Sequence, residues 1–166
     1  AKVYDSIRER GLYFSFKNYR EKNDLDIEEF LLDIKLYATF YNNILSPVNN
    51  EYKEALERIK CLDTNTIVPL LLDLLKSNQL GETTNLEVKE AIIVLENYLV
   101  RRTICGLPAA SMNKTLAALP KEIRRHMANG VSYIEAYKYS LLNKTQKTRY
   151  PCDSEFVDKF ALYELY

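Results

Sequence analysis

Apolar residues in this chain recur at spacings of three and four almost throughout, and almost nowhere do they alternate strictly over the length of a strand. Residues three and four apart share one face of an α-helix, so the pattern predicts an all-α fold. The clearest stretch is Ile27, Phe30, Leu31, Ile34, Tyr37, Ala38, Tyr41, Ile44 and Leu45, a continuous stripe that Ser46-Pro47 ends. Leu32, Leu36 and Phe40 add a second strip, which predicts burial of this helix on more than one side. Helix starts are marked as well. Thr84-x-x-Glu87 and Ser132-x-x-Glu135 have capping-box spacing, in which hydroxyl and carboxylate each satisfy a free backbone N–H, and Asp26 and Asp153 are placed to cap the helices that follow them. The helices predicted are 3–22 with a bend at Gly11, 26–45, 50–62, 66–79, 84–105, 111–128 with a break at Pro120, 132–143 and 153–165. Short connections between them imply a compact bundle of seven or eight helices.

A chain of 166 residues fits a single domain over 1–166, long enough to bury roughly two thirds of its unfolded surface. With 47% apolar and 28% charged residues it has the make-up of a globular protein rather than a disordered one. Pro69 and Asp73 interrupt the Leu-rich run and Glu90 and Glu96 bracket the Ile-rich one, so no stretch reads as a membrane span. No signal pattern opens the chain, and Cys61, Cys105 and Cys152 are too scattered for a disulfide framework, which points to a reducing cytoplasm. Starting at Ala1 without Met and ending at Tyr166 inside a helical pattern, the sequence reads as an excised piece of a larger multidomain protein. Its net charge of zero conceals a division: residues 101–149 carry ten basic side chains against only Glu122 and Glu135.

The helix 84–105 places Val88, Ala91, Ile92, Leu95, Tyr98 and Leu99 on one face, with Arg102 in the middle of it. Ile93, Val100 and Ile104 lie opposite, so the helix is expected to be central. A guanidinium on such a face needs partners, and none of its neighbours one turn back is a carboxylate. Either a carboxylate of another helix or the carbonyls of a helix end must supply them, which makes Arg102 a structural tie; a phosphate or partner-domain contact is the alternative. Arg101, nearer the polar edge, is expected to reach solvent. Gly106 can take the left-handed conformation that ends a helix, after which Pro108 blocks its continuation. Catalytic arrangements are thin. His126 is the single histidine, Cys105 sits at the wrong helix end for activation, no metal-ligand spacing joins them, and the four glycines form no phosphate loop.

Tyr98-x-x-Arg101-Arg102-x-Ile104-Cys105-Gly106-Leu107-Pro108, with Asn113-Lys114 just beyond, resembles the helical middle region of GmrSD-like, modification-dependent restriction proteins. Pro151 to Phe156 is more loosely similar to the family segment that leads toward the nuclease. In that family a ParB-like nucleotide-hydrolysing domain precedes the helical region and an HNH nuclease follows it. The resemblance therefore implies a non-catalytic linking domain whose partners are the flanking NTPase and nuclease modules and the DNA backbone. It carries over no catalytic residue, metal ligand or cofactor, because the chain has neither the Asp-Gly-Gln-Gln-Arg type segment nor an HNH core. Tyr98, Arg102, Cys105, Gly106, Pro108 and Asn113 are then structural motif residues. The candidates for DNA phosphate contact are Arg101, Lys114, Lys121, Arg124 and Arg125, in the basic segment. Two other readings stay open: a stand-alone helical protein–protein interaction module, and a small enzyme built on Cys105 and His126.

Overall fold

The computed structural model describes residues 11–23, 26–48, 51–62 and 65–162. The described residues form eight α-helices: α1 (Leu12–Asn23), α2 (Ile27–Leu45), α3 (Lys53–Lys60), α4 (Val68–Gln79), α5 (Asn85–Ile104), α6 (Met112–Met127), α7 (Tyr133–Leu142) and α8 (Asp153–Phe160). Three single turns of 3-10 helix join them, at Asn65–Ile67, Ala109–Ser111 and Gln146–Thr148. No strand occurs among the described residues. The part of the first predicted helix before Gly11 lies outside them.

Helix α5 is central, packing against α3, α4, α7 and α8, while α6 packs against α4 and α7. Its fully buried face is Val88, Ala91, Ile92, Leu95, Tyr98, Leu99 and Arg102, the face that the periodicity singles out. The opposite side is less covered: Ile93 is half-buried against the core and Val100 is exposed. Leu56 and Ile59 of α3, Leu70, Leu71 and Leu74 of α4, Leu116, Leu119 and Ile123 of α6 and Tyr137 and Leu141 of α7 complete the core.

Both capping boxes form. Thr84 Oγ1 accepts from the Glu87 amide at 3.2 Å and the Glu87 carboxylate accepts from the Thr84 amide at 2.7 Å; Ser132 and Glu135 repeat the arrangement before α7. The Asp26 carboxylate likewise accepts from the Glu28 amide at 2.9 Å. Asp153 does not cap α8. Cys152 holds the cap position, and Asp153, the first helical residue, turns its carboxylate to Arg101 instead. Pro120 does not break α6, which runs through it to Met127; Pro120 is buried, and packing on α4 and α7 holds the helix together where the proline lacks an N–H.

Helix α2 departs from expectation. Of its residues only Ile44 is fully buried, and Leu32 of the second strip is 67% exposed. The reason is geometric: α2 meets the core through α4, with Phe40 and Ile44 turned toward it. That contact leaves the seam of Ile27, Leu31, Ile34, Tyr41 and Leu45 on the surface.

Candidate functional site

Helix α5 ends where its sequence says it should. The Leu107 amide donates to the Arg102 carbonyl at 2.9 Å, the Gly106 amide donates to Thr103 at 3.1 Å, and Gly106 has φ +64°. This paired pattern around a left-handed residue closes the free carbonyls of a last turn, and glycine adopts it without a Cβ penalty. Pro108 then starts an extended link to the 3-10 turn at Ala109–Ser111.

The two arginines at that end grip the chain far downstream. Arg102 is 2% exposed, and its guanidinium donates to the carbonyls of Lys147 at 2.8 Å and Pro108 at 3.1 Å and to the Ser111 hydroxyl at 3.2 Å. Its planar fork thus joins the link before α6 to the link before α8, and its cation lies 5.2 Å from the Tyr98 ring centre. Of the two kinds of partner open to it, Arg102 uses carbonyls of chain turns. One turn earlier, the Tyr98 hydroxyl donates to the Thr148 carbonyl at 2.7 Å, and the Tyr98 ring stacks on Tyr150 at 5.7 Å. Burial raises the Tyr98 phenol pKa, against the opposing charge of Arg102.

Arg101 is not the solvent-reaching group that its helical position suggests. It donates to the Pro151 carbonyl at 3.1 Å, pairs with Asp153 at 2.6 Å and lies over the rings of Tyr150 and Phe156. Arg149 completes the clasp by pairing with Glu155. Gln146, at φ 52°, is the described non-glycine residue with a left-handed backbone, and it opens the turn that presents the Lys147 carbonyl to Arg102. The segments of the resemblance, 98–114 and 151–156, therefore meet in space through Arg101, while Tyr98 and Arg102 hold 147–150 just before the second of them. The carbonyl partners at Pro108, Lys147, Thr148 and Pro151 carry no sequence signal of their own, because a backbone carbonyl accepts whatever the residue type.

A second polar cluster lies among α4, α6 and α7. Arg124 pairs with Asp73 at 3.3 Å and with Glu82 at 2.6 Å and donates to the Ser77 hydroxyl at 2.6 Å. The Tyr133 hydroxyl donates to the other Asp73 oxygen at 3.0 Å. Burial alone would lower the Arg124 pKa; the Glu82 hydrogen bond and the two carboxylate charges outweigh it and raise the pKa. Tyr133, enclosed beside Asp73, has its phenol pKa pushed well up by burial and then by that charge.

The five candidate phosphate contacts thus fall into two groups. Arg101 and Arg124 are engaged in internal ion pairs, whereas Lys114, Lys121 and Arg125 are exposed on α6. Asn113 is exposed beside Lys114. Cys105 and His126 are not brought together: Cys105 closes α5 beside the clasp, its thiol pKa raised by burial and by Glu155, and His126, near the far end of α6, packs edge-on against Tyr139 at 5.0 Å. Cys152 is exposed, with its thiol pKa lowered by the Ser154 hydroxyl 3.2 Å away. Among the described residues no group of three His, Cys, Asp or Glu side chains is placed to hold a metal ion, and no helix is long and apolar enough to cross a membrane. A cleft of about 150 Å³ between α2, α3 and α4 is lined by Tyr41, Ile44, Ile59 and Leu71, with Lys60 the only charged side chain among its described lining residues. Comparison with family models, curated proteins and solved structures returns no match for this chain.

Proposed function

We propose that this chain is a non-catalytic helical spacer, the counterpart of the middle region of GmrSD-like restriction proteins, and that it fixes how a following nuclease module leaves the bundle. One observation carries the reading. The residues shared with that family are the ones that build the clasp: Tyr98, Arg101 and Arg102 hold 147–153 against the end of α5, immediately before α8. Guanidinium forks on backbone carbonyls, backed by aromatic rings, define an orientation better than a flexible linker does. Such a clasp would transmit a change in the nucleotide-hydrolysing module to the nuclease through a stiff body.

The test is made in the full reading frame. A nucleotide-hydrolysing domain should be encoded before this segment and an HNH nuclease after it. In that protein Arg101→Ala should reduce DNA cleavage while leaving nucleotide hydrolysis intact. Absence of both flanking modules would overturn the assignment. That result would favour a stand-alone helical protein–protein interaction module, the reading supported by the exposed apolar seam of Ile27, Leu31, Ile34, Tyr41 and Leu45 on α2.

A further inference from the structure

Helix α6 presents a row of cations on the side away from the core. At ~100° per residue, Lys114, Lys121 and Arg125 fall within about 40° of one another, with Ala118 between them. All four positions are exposed, and Leu116, Leu119 and Ile123 are buried on the opposite side. Along the helix axis the charges stand roughly 10 Å and 6 Å apart. These gaps are comparable with a screening length of about 8 Å at physiological salt, so the fields of the three cations overlap. Nothing acidic on the helix cancels them: Glu122, the sole carboxylate of α6, is paired with Lys144 at 2.6 Å. Arg124 is turned inward to Asp73 and Glu82, which separates it from Arg125, its neighbour in sequence. None of the three row cations forms an ion pair among the described residues.

From this we infer that Lys114, Lys121 and Arg125 together form a contact strip for the phosphate backbone of duplex DNA. A duplex carries closely spaced negative charge along its whole length, which a straight row of cations on a rigid helix can follow. The strip carries no Asn or Gln and a single arginine, too little for a base-reading pattern, so phosphate contacts dominate and binding is largely independent of sequence. The row lies outside the clasp, so the inference and the spacer reading stand or fall separately.

The test is a fluorescence-anisotropy titration of this chain with a labelled duplex of about 20 base pairs of arbitrary sequence, repeated across salt. Three phosphate contacts predict a log–log salt slope of about −2.7, a loss of roughly 40-fold in affinity between about 50 and 200 mM salt, and dissociation constants on the order of 10⁻⁴ to 10⁻⁶ M at physiological salt. Each of Lys114→Gln, Lys121→Gln and Arg125→Gln should flatten the slope by about 0.9, and the triple variant should abolish it. Because the three side chains are exposed, the variants should melt with the parent. The triple variant Lys35→Gln, Lys89→Gln, Lys159→Gln removes the same charge elsewhere and should leave the slope unchanged. Equal loss from both triple variants, no salt-sensitive association of the parent chain, or displacement by polyglutamate as effective as by unlabelled duplex would each overturn the inference.

Discussion

Replacing Arg102 by Ala removes a guanidinium that is 2% exposed and that donates to two carbonyls and a hydroxyl on two separate chain segments. A hydrogen bond from a charged donor contributes about 1.5–3 kcal/mol, and a buried acceptor left unpaired costs about 1–3 kcal/mol. The Lys147 and Pro108 carbonyls lie on links near the surface, where water can replace part of what is lost. A total near 3 kcal/mol follows, at the low end of the cost of breaking a buried charge contact. For a domain of this size that is a fall of about 9 °C in melting temperature. Arg102→Lys keeps the charge, but its single ammonium cannot match the planar fork that reaches both links, so it should recover only about half. Urea unfolding should show the loss as a lower midpoint at unchanged slope. A cost below about 0.5 kcal/mol, the range of an ordinary surface change, or full recovery with Lys would refute the clasp energetics.

Arg124→Ala should destabilise the chain by about 3 kcal/mol, because it leaves Asp73 buried with its main cationic partner gone, whereas Arg125→Ala next to it should change stability by less than about 0.5 kcal/mol; paired denaturant curves test the contrast. Gly106→Ala meets no atom within 4 Å, so its cost is that of the backbone at φ +64° alone, about 1–2 kcal/mol by thermal melting. Burial raises the phenol pKa of Tyr98, Tyr133 and Tyr137 in the folded state. Their contribution to stability is therefore complete below the unfolded tyrosine value of about 10 and is lost as pH climbs above it toward the folded values. With 13 tyrosines and no tryptophan, tyrosinate absorbance should show an early exposed class and a late class that ionises only as helical circular dichroism falls. Ionisation of every tyrosine together, with the helices intact, would contradict that assignment.

Helix positions were legible because period and capping are local: the boxes at Thr84 and Ser132 and the stop at Gly106 are written in residues three or four apart. The inward face of Arg102 was legible for the same reason, from its position on the stripe of α5. Its partners were not: the Lys147 carbonyl lies 45 residues downstream and could belong to any residue type, and nothing in the sequence marks the Pro108 carbonyl or the Ser111 hydroxyl, 6 and 9 residues on, as the groups that turn back to it. Arg101 shows the limit of a helical wheel. A position at the polar edge is open to solvent only until another segment folds over it, as Tyr150 and Phe156 do here. In the basic segment, sequence counted charges without knowing their neighbours. Arg124 and Arg125 are equivalent by composition and opposite by environment, because one faces Asp73 across α4 and the other faces outward. Periodicity overstated α2, where an apolar strip is a capacity for burial that the rest of the described bundle meets in full only at Ile44.

Amide hydrogen exchange on Arg101→Ala tests most directly whether the clasp holds the C-terminal segment to α5. Arg101 is less buried than Arg102, and its bonds go to Pro151 and Asp153 rather than into the core, so its loss should act locally. The clasp predicts faster exchange across 149–156 with the amides of α4 and α5 protected as in the parent chain. Unchanged exchange in 149–156, or a uniform rise over the whole bundle, would contradict it.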